Sequence, residues 1–386
     1  MTRTPVSRGS DSSASKYRIA IVHPSAGVNW SGGTENFAIE MARHLDRYFD
    51  VELLGGDAQI PHYYPAGGVP RNRARKLIQF PPLNRALRKI STNPDIVIEH
   101  LTSFFPCAAR LLHHPADLIF PCNSYGGLAV AALVRQVLGT PVLYKAHNGL
   151  LSNGKPLRRD LKFRPDHLVV FSEEMRQFAH AVQPAQSVSI IPNGVDLQRF
   201  TPLGDRLDLA LPGPIVLCVA SLNRQGHKRV DLAIQAVSKL RDVSLLICGD
   251  GADREYYRSM GNRLIGPARF SIRTYPFDQM PMVYRSVDVF TLSSIQEPFG
   301  NVYTQAMASG LPVVTTDDAL RQFIVAEAGI LCDVTDASSY AENIKKALAS
   351  DWTSKALASA KRFRWEIIAK RYRDLMLQMI HSCAKP

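Results

Sequence analysis

Residues 293–315 read SSIQEPFGNVYTQAMASGLPVVT, and this stretch is the most informative part of the sequence about the fold. It follows one apolar run, 287–292, and ends in a second, 312–315, and both runs are typical of buried parallel strands. The residues between them suffice for one short helix. Gly310 is placed to end that helix in the left-handed conformation, and Pro312 prevents the helix from continuing. The pattern therefore predicts a parallel strand, a helix and a second parallel strand.

The start of this helix, near Gly300 and Asn301, is the first candidate binding site. The first N–H groups of a helix have no partner within it, and the helix dipole favours an anion there. Glu297 stands just outside this anion site, and its carboxylate can accept hydrogen bonds from hydroxyl groups. The stretch thus predicts a site for a diphosphate that carries a sugar.

Length and composition indicate a globular protein of two domains. The chain has 386 residues, of which 46% are hydrophobic and 21% charged. A net charge of +12 fits a protein that meets phosphates, acidic lipid surfaces or nucleic acid, and it does not choose among them; from the other motifs we expect no nucleic-acid partner. Because no run approaches the roughly 20 apolar residues of a membrane span, we expect no integral membrane protein.

The opening and the cysteines indicate the compartment. Residues 1–16 are rich in Ser and Thr without an apolar core, which predicts a disordered tail and no secretion signal. The six cysteines show neither zinc nor redox spacing, so we expect reduced thiols and a cytoplasmic protein. They are Cys107, Cys122, Cys218, Cys248, Cys332 and Cys383.

The amino-terminal half begins like a doubly wound sheet. Residues 17–23 form a compact apolar run, Gly32 and Gly33 follow as a turn, and an amphipathic helix comes next. Adjacent glycines let the backbone approach a ligand closely, although a tight turn alone would also use them. Further strands are predicted at 51–54, 96–99, 118–120, 142–146 and 167–171, with a helix over 128–138.

Two features of this half invite a functional interpretation. The stretch 71–90 is basic and is interrupted by Pro81-Pro82, which predicts two short helices at most. It would dock on an acidic membrane or a phosphorylated acceptor, or else form a solvated basic face. His147 ends the strand 142–146 at the ligand-binding edge of the sheet, and a structural histidine is the alternative. Because the adjacent pair His113-His114 cannot present two ligands on one face, we expect no metal there.

A second α/β pattern occupies the carboxyl-terminal half. Residues 215–220 and 244–248 read as strands and 230–240 as a helix, with a basic loop at 221–229. Gly249 opens a Gly-Asp-Gly turn after the second of these strands. This turn lacks the third glycine of a dinucleotide fingerprint, so alone it is weak evidence for a nucleotide.

Three segments together resemble the retaining glycosyltransferases of the GT-B architecture, specifically glycosyltransferase family 4. These are EPFG at 297–300, AMASGLPVV at 306–314 and PNGVDLQRF at 192–200. The resemblance covers nearly the whole chain after the tail, and it implies an α/β fold of two Rossmann-like domains facing across a cleft. The implied organisation is a tail at 1–16, an acceptor domain at 17–191, a linker at 192–210, a donor domain at 211–364 and a helix at 365–386 that returns to the first domain.

The resemblance also assigns roles to residues. It places Lys228 and an arginine on the donor phosphates, and His147 and Glu297 on the donor sugar. The family arginine position is Ser221 here, so Arg224 or Arg229 would have to substitute, and we predict Arg224. The implied donor-binding residues are Gly33, Gly249, Tyr275, Phe277, Phe299, Gly300, Asn301, Val302 and Gln305.

Gln305 departs from the family pattern, which has a second glutamate at this position for the nucleotide ribose. An amide can accept from one hydroxyl and donate to another, but it cannot accept from both as a carboxylate does. The substitution predicts weaker or altered nucleotide binding, and an inactive enzyme is the alternative.

The implied reaction is transfer of a sugar from a nucleoside diphosphate sugar to an acceptor hydroxyl, with retention of the anomeric configuration. No cofactor and no metal are expected. The acceptor is a lipid, a glycan or a small molecule, and the protein would lie in the cytoplasm or at the inner membrane face. The alternatives are a non-catalytic partner subunit, a GT-B epimerase or a phosphorylase, although no epimerase acid and base and no pyridoxal lysine are identifiable. The further alternative of an NAD oxidoreductase is supported by the doubly wound pattern alone.

Overall fold

A computed structural model describes residues 16–27, 32–56, 63–89, 93–124 and 126–383. The predicted tail at 1–16 therefore lies, except for Lys16, outside the described residues, as does residue 90 of the basic stretch. Within the described part, no helix is long and apolar enough to cross a membrane.

The first half forms a run of parallel strands with helices between them. Strand order is β3-β2-β1-β4 in one sheet and β5-β6-β7 in the next, and an isolated bridge between Ile119 and Val142 joins the two. The strands are β1 Arg18–Val22, β2 Asp50–Gly55, β3 Tyr63–Pro65, β4 Leu118–Pro121, β5 Leu143–Lys145, β6 His167–Val170 and β7 Val188–Ile190. Strand order reverses between β1 and β4, and open α/β sheets bind ligands at such a point.

The helices of this half are α1 Gly33–Leu45, α2 Arg71–Leu77, α3 Pro81–Arg88, α4 Pro94–His113, α5 Gly126–Leu138, α6 Lys155–Asp160 and α7 Glu173–Val182. The two short helices predicted in the basic stretch are confirmed as α2 and α3. The predicted strand at 96–99 is wrong, because these residues lie in the long helix α4. Pro94 in its first turn suits a helix start, and buried residues recur at helical spacing as far as Leu111. The β-branched residues 96–98 are typical of a strand, but the spacing of buried residues over the whole segment is that of a helix.

The second half forms one parallel sheet of six strands in the order β10-β9-β8-β11-β12-β13. The strands are β8 Ile215–Val219, β9 Ser244–Cys248, β10 Phe270–Arg273, β11 Val289–Leu292, β12 Val313–Thr316 and β13 Gly329–Cys332. The helices are α8 Val230–Ser238, α9 Arg254–Leu264, α10 Met280–Arg285, α11 Asn301–Ala308, α12 Ala319–Val325, α13 Ala337–Leu348 and α14 Thr353–Lys361. The chain fills the sheet outward from β8 on one side and from β11 on the other, so this sheet also reverses its order at its centre.

The last helix, α15 Trp365–Cys383, returns to the first half. Trp365 and Tyr372 share a buried apolar cluster with Phe37 of α1 and with β1. Their rings lie 5.8 and 6.0 Å from the Phe37 ring. Burial of these large aromatic surfaces holds the helix on the first domain, and the predicted crossing of this helix is confirmed.

Candidate functional site

Helix α11 begins at the carboxyl edge of the second sheet, as the sequence predicts. Gly300 precedes it with a φ of 81°, and no side chain of the described residues caps its first turn. Gly310 follows the helix with a φ of 83°. Both glycines adopt the left-handed region that side chains disfavour. The first N–H groups of α11 therefore point outward without a side-chain acceptor, in the geometry that suits an anion.

Glu297 lies beside this helix start in a buried ion pair. Its Oε2 accepts a hydrogen bond from Lys228 Nζ at 2.6 Å and lies 3.4 Å from His227 Nε2. The side chain of Glu297 is 7% exposed. Burial alone would raise the pKa of Glu297, but Lys228 and His227 outweigh it and hold that pKa well below its usual range. The carboxylate is therefore ionised at every physiological pH.

The loop 221–229 delivers Lys228 to this position. Ile295 N donates to His227 O at 2.9 Å, which fixes the loop on the segment after β11. The two candidate arginines point elsewhere. The guanidinium of Arg224 lies 4.0 Å from the centre of the Tyr256 ring, and Arg229 Nε donates to Ser293 O at 2.9 Å. The structure thus brings Lys228 to Glu297 but neither arginine, and the assignment of Arg224 to the phosphates stays a prediction.

The glycine turn of the first domain faces helix α11. A Cβ added to Gly33 would lie 3.5 Å from Asn301 Nδ2. Asn301 Oδ1 in turn accepts from Asn193 Nδ2 at 2.8 Å, so the segment between the domains is tied to the same helix. Since α1 also begins at Gly33 without a side-chain cap, two helix starts lie close to each other across the cleft.

His147 follows β5 on the opposite wall of the cleft. Its ring lies 4.8 Å from the Phe37 ring and 6.1 Å from the Phe171 ring. Its Nε2 is shielded from solvent and has no hydrogen-bond partner among the described residues. Burial, Lys145 and His23 lower the pKa of His147 well below its usual value, so the imidazole is neutral at pH 7. A neutral imidazole with a free nitrogen can bind a hydroxyl of a ligand.

Phe299 serves the contact between the domains. Its ring is buried and stacks on the Phe171 ring at 5.4 Å. One residue earlier, Pro298 packs on Gly149 so closely that a Cβ at Gly149 would lie 3.0 Å from Pro298 Cα. The Phe299 side chain therefore positions the loop before α11, and any donor contact of this residue has to come from its backbone.

The remaining predicted donor residues lie along the same sheet edge. Gln305 Oε1 accepts from Tyr284 OH at 3.1 Å, and Gln305 shares a small pocket with Phe277. Gly249 packs against the preceding strand connection, where a Cβ would lie 1.8 Å from Ala220 O. Tyr275 OH lies 3.3 Å from Arg273 Nη1, and Tyr275 and Val302 pack on the main core. Their contact with a nucleotide stays a prediction.

A cavity of about 490 Å³ opens between the domains next to Glu297. Gly149 and Phe171 line it from the first domain, and Pro298 and Arg321 from the second. A cleft of this size and position is typical of a small-molecule site.

Sequence reasoning missed His227 and the role of Asn193. His227 is the immediate neighbour of Lys228, so its place in a basic loop was the available signal. Asn193 lies in the predicted linker between the domains, and its link to Asn301 depends on a contact between residues 108 positions apart.

Two family models match this chain. The model described as Glycosyl transferases group 1 matches residues 213–350, and the model described as Glycosyltransferase Family 4 matches residues 31–199. Each model therefore matches one of the two domains that form the cleft.

Named relatives agree with these models. The lipopolysaccharide core biosynthesis glycosyltransferase LpsE of Rhizobium meliloti (strain 1021) is 31% identical over 149 residues, which are 38% of this chain and 43% of LpsE. The phosphatidyl-myo-inositol mannosyltransferase of Mycobacterium tuberculosis is 27% identical over 382 residues, which are 92% of this chain and 95% of that protein. The chain thus spans less than half of LpsE but nearly all of the mannosyltransferase.

A solved structure shares the fold. Alr3699/HepE of Anabaena, in complex with UDP-glucose, superposes with a TM-score of 0.68 at 17% identity, over 94% of this chain and 100% of that chain. Since the two family models together take in most of the sequence, this protein belongs to glycosyltransferase family 4, the group 1 glycosyl transferases, and has the GT-B architecture of two facing Rossmann-like domains.

Proposed function

We propose that the protein transfers a glycosyl group from a nucleoside diphosphate sugar to an acceptor hydroxyl, with retention and without a metal ion. One observation carries the proposal: the uncapped start of α11, next to the buried pair of Glu297 and Lys228. The amides of this helix start and a lysine ammonium suit a diphosphate, and a buried carboxylate suits the hydroxyls of a sugar. The complex of Alr3699/HepE with UDP-glucose supports the same class of donor.

In this reaction the bond from the anomeric carbon to the diphosphate oxygen breaks, and a bond from that carbon to the acceptor oxygen forms. The acceptor approaches on the face that the diphosphate leaves, and its proton passes to a phosphate oxygen. The α11 amides and Lys228 stabilise the charge that develops on the diphosphate, which is a preorganised electrostatic effect. Glu297 and His147 hold the sugar between them, so both reactants stay in register.

Lys228 has to serve two partners in this scheme. Its Nζ contacts Glu297 before any donor is bound, and an ammonium has three donor hydrogens. It can therefore keep the Glu297 contact and still donate to a phosphate oxygen. The ion pair holds the lysine in place before the donor arrives.

We further propose that the first domain contacts an acidic membrane through α2 and α3. The stretch 71–89 has seven Lys and Arg residues and no Asp or Glu, and all seven except Arg71, which is paired with Glu99, are exposed. Within it Leu77 is 47% exposed and Phe80 is 63% exposed, so apolar and basic groups are available together. Basic residues near an anionic surface add about 1 kcal/mol each, and exposed apolar side chains enter the interface.

The donor class is tested by thermal-shift measurements with UDP, GDP, ADP and dTDP sugars. A ligand that binds only the folded chain raises the melting temperature, so the correct base stands out. The identified donor is then incubated with candidate acceptors, and NMR of the product gives its anomeric configuration. Inversion would contradict the front-face scheme, and activity abolished by a chelator and restored by a metal would contradict the metal-free account.

The membrane contact is tested separately by sedimentation with vesicles. We expect binding to vesicles that contain anionic phospholipid and little binding to neutral vesicles. The variant Phe80→Ser with Arg85→Ala should release the protein, whereas Leu203→Ser, at a site 78% exposed in the second half, should not. Equal binding of all variants would contradict this surface.

A further inference from the structure

Four residues, 293–296, lead from β11 to Glu297, and side chains of neighbouring elements fix their backbone. Ser294 O accepts two hydrogen bonds, from Thr316 Oγ1 at 2.8 Å and from Arg321 Nη2 at 3.1 Å. A carbonyl oxygen has two lone pairs, so both acceptor positions of this oxygen are used. The carbonyl group of Ser294 therefore cannot turn without losing two hydrogen bonds.

The same segment is tied to the loop that carries Lys228. Ser293 O accepts from Arg229 Nε at 2.9 Å, and Ser293 Oγ donates to Arg229 O at 2.6 Å. Ile295 N donates to His227 O at 2.9 Å, while Ile295 itself is 43% exposed. Hydrogen bonds, and not the burial of an apolar side chain, thus hold the end of the segment in place.

Each residue of the ion pair adjoins a non-glycine residue in the left-handed region. Gln296 directly precedes Glu297 and has a φ of 52°, and Arg229 directly follows Lys228 and has a φ of 46°. This conformation is disfavoured for residues with a Cβ, and it persists only where the surrounding structure holds it. The hydrogen bonds of residues 293–295 are the contacts that can hold the turn at Gln296.

Arg321 is the most deeply buried of the side chains that bind this segment. Its side chain is 2% exposed, and its Nη1 lies 3.0 Å from Asp318 Oδ2, whose side chain is 36% exposed. Burial of the guanidinium is unfavourable, and its Nε has no hydrogen-bond partner among the described residues. An ion pair with a partly exposed carboxylate does not require this burial. The contact with Ser294 does require it, because Ser294 is fully buried.

The contact between Arg321 and Ser294 lies at the wall of the candidate site. Arg321, Gln296 and Glu297 all line the cavity of about 490 Å³ between the domains. The hydrogen bond of Arg321 acts on the backbone two residues before Gln296 and three before Glu297. Any movement of this backbone would therefore reach the carboxylate that contacts Lys228 at 2.6 Å.

We propose that Arg321 is a positioning residue for glycosyl transfer. By fixing Ser294 O it holds the strained turn at Gln296, and this turn directs the Glu297 carboxylate toward Lys228 and the cavity. Without Arg321 the backbone of Gln296 would relax toward negative φ and carry Glu297 away from the donor sugar. This inference rests on the proposed function, in which Glu297 contacts that sugar.

Arg321→Met tests the proposal, because methionine keeps a long unbranched side chain and removes every donor. A displacement of about 1 Å at a reacting site can lower a rate about 100-fold, so we expect kcat/KM for transfer to fall by about tenfold to 100-fold. Affinity for the sugar nucleotide should fall, whereas affinity for the free nucleoside diphosphate, measured by calorimetry, should stay unchanged. A general loss of structure would weaken both ligands, and melting curves show whether the variant is folded.

A second variant tests the role of the strained turn. Glycine adopts a positive φ without the cost that glutamine has there. The double variant Arg321→Met with Gln296→Gly should therefore recover part of the transfer that Arg321→Met loses, as a double-mutant cycle would measure. Absence of any recovery would overturn the proposal, since the strain at Gln296 would then not depend on Arg321.

A third measurement needs neither donor nor acceptor. Acetic anhydride labels free lysine amines, and mass spectrometry gives the rate at Lys228. Glu297→Gln removes the carboxylate from this amine and sets the upper rate. We expect the rate in Arg321→Met to rise from the wild-type value toward that upper rate, because Glu297 no longer stays against Lys228.

Arg269→Met is the matched control. Arg269 precedes β10 and also binds backbone carbonyl groups, since its Nη1 donates to Leu240 O at 2.7 Å and to Val243 O at 2.8 Å. This variant should leave transfer and the labelling of Lys228 unchanged. Wild-type transfer in Arg321→Met, or an equal loss in Arg269→Met, would overturn the proposal.

The labelling separates this inference from the proposed function. If the wild-type protein transfers no sugar but Arg321→Met exposes Lys228 to the reagent, the proposed glycosyl transfer fails and the positioning of Glu297 by Arg321 stands. If the wild-type protein transfers sugar and Lys228 is labelled equally in both proteins, only the positioning by Arg321 is wrong.

Discussion

Buried polar side chains on the two walls of the cleft differ in whether they have hydrogen-bond partners. On the wall of the second domain, Glu297 is paired with Lys228 and His227, and Gln305 with Tyr284. On the wall of the first domain, His23 and His147 keep ring nitrogens without partners among the described residues. On the wall of the second domain, which we call the donor wall, Glu297 and Gln305 therefore have partners before any ligand binds, although Arg229 Nη2 and Ser294 Oγ have none among the described residues. The two histidines of the other wall gain partners only from a ligand or ordered water.

This difference has a physical reason. A nucleoside diphosphate is strongly charged, and a site for it has to present fixed charge and oriented amides that need no reorganisation. A hydroxyl group, in contrast, can be held by neutral imidazole nitrogens, which need no net charge. The comparison also predicts how each wall responds to mutation and to pH.

Lys228→Ala should have the largest effect, because it removes the cation of the donor wall. We expect transfer to fall by at least about 100-fold, measured as kcat/KM with the donor that the thermal-shift screen identifies. The variant should also melt at a lower temperature, since the buried carboxylate of Glu297 then loses the ammonium that it contacts.

Two further variants separate the loss of transfer from the loss of stability. Lys228→Ala with Glu297→Gln should recover melting temperature without recovering transfer, because the uncompensated carboxylate is gone. Lys239→Ala, at the exposed end of α8, should leave both unchanged. Near-normal turnover of Lys228→Ala would show that Lys228 does not contribute to the donor site.

Gly300→Ala should have the next largest effect, because it disturbs the helix start that faces the diphosphate. A Cβ here would lie 2.5 Å from the Tyr303 ring, in addition to the cost of a positive φ. We expect donor affinity to fall about tenfold or more and stability to fall by about 1–3 kcal/mol, as calorimetry and urea unfolding would measure.

Gly266→Ala is its matched control. Gly266 also has a positive φ, of 94°, but a Cβ there would meet no atom within 4 Å. The Gly266→Ala variant should lose stability only through the cost of its positive φ, and its affinity for the donor should stay unchanged. If both variants bind donor equally well, the start of α11 does not hold the diphosphate.

The two walls should lose stability in different pH ranges. The pKa values of His23, His100 and His147 are lowered in the folded protein, so the unfolded chain takes up protons first as pH falls below about 6.5. Their contribution is present above that pH and is lost below it. The pKa of Glu297 is also lowered from 4.5, so its contribution is lost only below about pH 4.5.

Melting temperatures between pH 8 and pH 3 would measure this. The melting temperature of His23→Gln should change less with pH between pH 6.5 and pH 4.5, and that of Glu297→Gln should change less only at lower pH. Each proton linkage that is removed corresponds to about 1.4 kcal/mol of unfolding free energy per pH unit. A wild-type melting temperature that stays constant from pH 7 to pH 5 would contradict buried neutral histidines on the first wall.

Gln305→Glu should have the smallest effect. A glutamate keeps the acceptor for Tyr284 OH and restores the family carboxylate, so we expect an unchanged melting temperature and equal or slightly tighter donor binding. Gln305→Leu, which removes that acceptor, should weaken the donor instead. A large loss of affinity in Gln305→Glu would show that the assignment of this position to the nucleotide ribose is wrong.

The sequence predicted much of the donor wall, because the relevant signals are local. The strand, helix and strand around 293–315 and the left-handed Gly300 and Gly310 follow from steric rules that act within a few residues. The one strand predicted wrongly, at 96–99, shows the limit of this reasoning, since a short apolar run fits a strand or a buried helix equally well. Only the packing of α4 on its neighbours resolves it.

The order of the elements and the choice of Glu297 and Lys228 as candidate residues follow from the amino-acid sequence. Tertiary structure alone decided that these two meet at 2.6 Å, that Arg224 lies over Tyr256 instead, and that Phe299 joins the domains. It also brought Asn193 to Asn301, 108 residues further along the chain. Conformational rules act between neighbours in the chain, but side chains that are distant in sequence meet only where folding brings their elements together.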